Sequence, residues 1–177
     1  YMGDLFLFEA GVVNLEGWCG LMKKLLERHL NNPGRLNMSV ASSSFDTWLD
    51  GYRLGVPGRK GSIYVEGAVL AFLCDCRIMS KTQGQASLST AMRFLWERFG
   101  RPRKGLTATD YWQVLAEVAG EPLDDLRRHH ADGAEDTWAP LVDAMASQGL
   151  DLTKRVDEKG LTRVDLTPQN PPAPPMA

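Results

Sequence analysis

Between Gly67 and Cys76 nearly every side chain is apolar, and Asp75 alone interrupts the run. A helix that is apolar all round needs neighbours on every side, so it cannot lie on a surface. The segment from about Ser62 to Lys81 is therefore expected to be a central buried helix with the rest of the chain folded around it. Tyr64, Ala68, Ala71 and Asp75 recur along it at spacings of four, three and four, which places them on one stripe. Two small residues between a phenol and a carboxylate predict the close approach of another element.

The flanking sequence supplies helices to do the wrapping. Asn14 is placed to cap a segment in which Leu15, Trp18, Cys19, Met22, Leu25, Leu26 and Leu30 recur at three- and four-residue spacing, ended by Asn32-Pro33-Gly34. Tyr1 to Ala10 reads as the end of a longer helix that stops at Gly11, a residue suited to the left-handed conformation. A serine run leads into one or two helical turns at Phe45-Asp46-Thr47-Trp48-Leu49. Residues 51–62, with four glycines and a proline, are expected to be a loop of the kind that often borders active sites.

Downstream, Ser87 precedes a face of Leu88, Met92, Leu95 and Phe99, and Thr107 with Asp110 forms a capping box ahead of Tyr111, Val114, Leu115 and Val118. Two more helices are expected over Pro122 to Ala131 and Thr137 to Ser147. The reading is an all-α fold of about seven helices over residues 1–150. An irregular linker or tail then spans 151–177, where helical periodicity fades and Pro168 to Pro175 is polyproline-like.

Composition narrows the functional classes. With 20 Lys and Arg against 22 Asp and Glu, the chain has no charge surplus to drive binding to nucleic acid. The basic cluster Arg98, Arg101, Arg103 and Lys104 reads as a solvated interhelical loop. No apolar run approaches the roughly 20 residues that cross a bilayer. Cys19, Cys74 and Cys76 have no zinc-type spacing and read as free thiols, and their number fits cytoplasm and periplasm alike.

Candidate chemistry is sparse. His29 lies at the edge of an apolar stripe without a second ligand at i±4, and the neighbours His129 and His130 point roughly 100° apart. All three read as structural or surface residues. Arg53 could reach a substrate carbonyl, and Asp46, Asp50 or Asp75 an amine terminus, although a solvated arginine and capping or paired carboxylates are the plainer roles. That leaves Tyr64, in the first turn of the buried helix, either as an aromatic filling the core or as a catalytic group.

Three segments in this order favour the second role: Tyr1-Met2-Gly3-Asp4-Leu5, Ser44-Phe45-Asp46-Thr47-Trp48 and Tyr64-Val65-Glu66-Gly67-Ala68. Ser87-Leu88 with Met92, Leu95-Trp96, Phe99-Gly100 and Asp132-Gly133 follow. The chain resembles the glycyl aminopeptidase family of zinc metallopeptidases, which share a thermolysin-like fold with the wider gluzincin aminopeptidases. Glu66 departs from the pattern, since related aminopeptidases commonly carry lysine there.

The resemblance implies the helical part of a peptidase catalytic domain, walling a cleft for a peptide substrate, with Tyr64 as hydrogen-bond donor to the developing oxyanion. An ordinary phenol, with a pKa of about 10, remains protonated at neutral pH and suits that task. The resemblance also implies zinc in the intact parent, held by an H-E-x-x-H helix and a glutamate, none of which is present in this sequence. The expected partner is the remainder of the same catalytic domain, and uncovered apolar surfaces predict self-association of this chain alone. The competing expectation is a non-catalytic helical module that binds a protein.

Overall fold

A computed structural model describes residues 1–50 and 56–169, so Arg53 and most of the polyproline segment lie outside the described residues, as does the side chain of Asp50. Helices occupy Met2–Glu9 (α1), Leu15–Leu30 (α2), Val40–Asp50 (α3), Ile63–Lys81 (α4), Leu88–Leu95 (α5), Ala108–Ala119 (α6), Asp124–Leu126 (α7) and Trp138–Ser147 (α8). Wider π turns extend α5 over Trp96–Gly100 and α7 over Arg127–Ala131, and a 3₁₀ turn at Pro33–Leu36 follows α2.

The expected centre is the observed one. Helix α4 packs against α2, α3, α5, α6, α7 and α8 and buries Val65, Val69, Phe72, Leu73, Cys74, Cys76 and Ile78. Met22, Leu26, Leu115, Leu141 and Met145 close around it from α2, α6 and α8. Each such side chain contributes about 1.5–3 kcal/mol of burial, so this one helix organises most of the apolar driving force.

Caps read from the sequence fix the helix starts. Asn14 accepts from Gly17 N–H at 2.9 Å, and Thr107 and Asp110 exchange hydrogen bonds at 2.9 and 3.2 Å. Gly11 adopts φ +70 after α1, and Gly120 φ +76 after α6. Helix α3 is longer than expected: it starts at Val40, where Ser39 Oγ accepts from Ser42 N–H at 3.1 Å, so the serines form its first turns instead of a lead-in.

The irregular tail is corrected for its first part. Strands Leu150–Val156 (β1) and Thr162–Pro168 (β2) form an antiparallel hairpin in which Leu152 pairs with Leu166 and Lys154 with Val164. Its turn is built by Asp157, whose Oδ1 accepts from the N–H groups of Lys159 and Leu161, and by Gly160 at φ +74. Leu150, Leu152 and Val164 are buried in the same core as the helices.

The hairpin docks by matched periods. On α2, Lys23, Glu27 and Asn31 stand one turn apart, about 6 Å each; on a strand, alternate residues are about 6.6 Å apart. Lys23 accordingly pairs with Asp165 at 3.0 Å and Glu27 with Arg163 at 2.9 Å. Asn31 falls outside this match and holds instead the main chain of Thr162, the neighbour of Arg163, donating to its O and accepting from its N–H, both at 2.8 Å.

Candidate functional site

Tyr64 sits in the first turn of α4 with Ser62 at the N-cap position, and 65% of its surface is exposed. Its ring therefore does not fill the core, which removes the purely packing role. The next two residues, Val65 and Glu66, are buried at 4% and 7%. The phenol thus projects from the outer edge of a helix whose inner edge is fixed.

The stripe shared with Asp75 separates into two unrelated places. Eleven residues of helix put them about 16 Å apart. Asp75 is 1% exposed and accepts from the Tyr1 hydroxyl at 2.5 Å and from Leu88 N–H at 2.7 Å. Its carboxylate thereby faces the start of α5, where the helix dipole favours negative charge. The head of α1 meets the Asp75 end of this stripe, where the Tyr1 ring stands edge-on to Phe72 at 5.6 Å. Asp75 is structural, and so is Asp46, which pairs with Arg59.

The strap before α4 is held at several points. Asn37 donates to Gly58 O at 2.7 Å, and Arg59 is tied to Asp46 of α3. Gly34 approaches Lys60 so closely that a side-chain carbon there would collide with its carbonyl, and one on Gly61 would stand 3.0 Å from Glu66 Cγ. At Gly34 only a residue without a side chain fits, and at Gly61 a side chain would press on Glu66.

Glu66 continues inward. Its Oε2 lies 2.6 Å from His29 Nδ1, and His29 Nε2 lies 2.6 Å from Thr137 Oγ1, so one buried chain joins α4, α2 and the residue preceding α8. His29 is 2% exposed, Thr137 7%. The order carboxylate, imidazole, hydroxyl matches that of a nucleophile relay, but a hydroxyl enclosed to this degree offers no room for substrate. Sequence spacing could not reveal this group, because its members are 37 and 108 residues from His29.

A large apolar face lies beside α4. Helix α3 packs on it and exposes Phe45 at 70%, Trp48 at 90% and Leu49 at 72%, at helical spacings of three and four. These three apolar side chains share one outward side of α3.

Other titratable groups have structural partners. His129 Nδ1 lies 2.6 Å from Glu135, and Arg98 makes two 2.6 Å bonds to Glu117. A cleft of about 280 Å³ lined by Arg77, Lys81, Asp125, His129, His130 and Asp143 stands at the far end of α4 from Tyr64. Its cations are tied to Asp125 and Glu121, and burial lowers the His130 pKa. Cys74 and Cys76 are buried free thiols pushed up to about 12 by desolvation.

Among the described residues no three His, Cys, Asp or Glu side chains could hold a metal ion, and both His29 nitrogens are engaged. These residues do not fit a zinc ion. No described helix is long and apolar enough to cross a membrane.

Residues 1–70 match the family model described as M61 glycyl aminopeptidase. The resemblance drawn from the sequence is borne out over that span, which contains Tyr1 to Leu5, Ser44 to Trp48 and Tyr64 to Ala68. Its later carriers, from Ser87 onward, lie beyond the matched residues. No curated protein matches the chain. The matched segment is of peptidase-family origin.

Proposed function

From that origin we propose that this chain is the helical part of a zinc-dependent aminopeptidase catalytic domain, walling the substrate cleft and presenting Tyr64 to the developing oxyanion. The observation that carries the reading is the outward phenol. Within the family-matched span, a tyrosine 65% exposed stands at the head of a helix that is otherwise largely buried. A neighbouring helix turns Phe45, Trp48 and Leu49 outward, which suits a wall against which peptide side chains or the rest of the domain pack.

The chemistry assigned to this chain is hydrogen bonding alone. A protonated phenol donates without bringing charge, so it favours the transition state, in which the carbonyl oxygen becomes anionic, over the ground state. Zinc would be held by residues outside this chain, and no step is derived through it.

The test is Tyr64→Phe in the full-length peptidase. Loss of one preorganised donor lowers turnover by about 10²–10³-fold. Because the ring is exposed, the urea midpoint should stay unchanged. Undiminished turnover removes the assignment. Zinc content and aminopeptidase turnover, measured on this chain alone and on its full-length parent, test the wider reading; absence of both from the parent would leave a protein-binding helical module.

A further inference from the structure

We infer that the buried Glu66–His29–Thr137 chain positions Tyr64, so that a hydroxyl on the approach to α8 sets the aim of a phenol at the head of α4. The inference rests on the reading of Tyr64 as the oxyanion donor.

Both ring nitrogens of His29 are engaged at 2.6 Å, so the imidazole cannot turn without breaking one bond. With Glu66 as carboxylate, Nδ1–H donates to it and Nε2 accepts the Thr137 hydroxyl proton. Each link is strengthened by the low dielectric around it. Glu66 lies two residues beyond Tyr64, in the same helical turn, and is buried with its side chain close against Gly61.

A purely supporting contact would not need a polar group here. Glu66 Oε1 is enclosed and has no hydrogen-bond partner among the described residues. An apolar side chain of the same shape would avoid that cost, since a buried unsatisfied acceptor is expensive. What the carboxylate adds over an apolar filler is direction, because hydrogen bonds fix an orientation and apolar contact does not. Directional support is what an exposed donor requires, since a misplacement of about 1 Å can cost about 10²-fold in rate.

The experiment labels the chain with 3-fluorotyrosine and follows the Tyr64 ¹⁹F resonance, assigned by its loss in Tyr64→Phe. Thr137→Val removes the hydroxyl while keeping the shape, and Thr137→Ser restores it. In the valine variant the Tyr64 resonance should shift or broaden while that of Tyr111 stays in place; in the serine variant it should return. Glu66→Met, which removes the acceptor for Nδ1 at similar side-chain length, gives a second variant should valine fail to fold. In the full-length peptidase, Thr137→Val should lower kcat by up to about 10²-fold with KM little changed.

A Tyr64 resonance unmoved in folded Thr137→Val or Glu66→Met overturns the inference, whatever the activity. If the resonance moves and Tyr64→Phe leaves turnover intact, the oxyanion reading fails and the relay stands only as an anchor for the helix start.

Discussion

The hydroxyl of Tyr1 donates a 2.5 Å hydrogen bond to Asp75 Oδ2, joining the head of α1 to a carboxylate enclosed in the middle of α4. The other oxygen of Asp75 receives Leu88 N–H at 2.7 Å, so one side chain anchors three helices. Asp75→Ala leaves two donors without an acceptor, and each buried orphan costs about 1–3 kcal/mol. The urea midpoint should fall by the equivalent of about 3 kcal/mol. Tyr1→Phe, which removes one bond and orphans one oxygen, should cost less.

The fold should be sensitive to alkali. Burial, and then the charge of Asp75, raises the Tyr1 pKa well above the usual phenol range, and desolvation pushes Cys74, Cys76 and Tyr111 up to about 12. A raised folded pKa means that the native state keeps its proton where the unfolded chain has lost it. Stability is therefore complete below about pH 9 and declines as pH rises towards 12, by up to about 1.4 kcal/mol per pH unit for each group. Urea titrations at pH 8, 9 and 10 would show the decline, and Cys74→Ala with Cys76→Ala should flatten it.

Two glycines should respond in opposite directions. At Gly34 a side-chain carbon meets the Lys60 backbone, so Gly34→Ala should cost about 1–3 kcal/mol by overpacking. Gly20, inside α2, has open space around it, and Gly20→Ala should add about 0.5–1 kcal/mol through the lower entropy of the unfolded chain. Thermal unfolding of the two variants decides the matter.

Ending the chain after Leu150 should destabilise it. Leu152 and Val164 are buried at 5% and 1%, and their loss forgoes about 3 kcal/mol or more. A truncated chain with an unchanged urea midpoint would mean that the hairpin is an appendage.

How far the sequence revealed this arrangement depended on the range of the interactions. Asn14, Ser87, Thr107 and Asp110 act within their own turn, and the apolar run around Phe72 needs no knowledge of its neighbours to be recognised as buried. The hairpin was hidden because its buried face carries few apolar residues, with Lys154 and Thr162 interrupting the alternation. Its turn was nonetheless readable as Asp157 followed three residues later by Gly160. At the site, Tyr64 was found by family resemblance to a short segment, and its exposure then separated it from the core. The Glu66–His29–Thr137 chain was invisible for the opposite reason: each residue alone is ordinary, and only the packing of α2, α4 and the start of α8 brings them together.

The stripe of Lys23, Glu27 and Asn31 finds its partners some 131 to 142 positions later. During synthesis at about 5–20 residues per second, that face of α2 stays unmatched for roughly 7–28 seconds before β2 is made. The helices are thus synthesised before the piece that fastens them, and the apolar surface that Leu152 and Val164 cover stays open on the nascent chain during that interval.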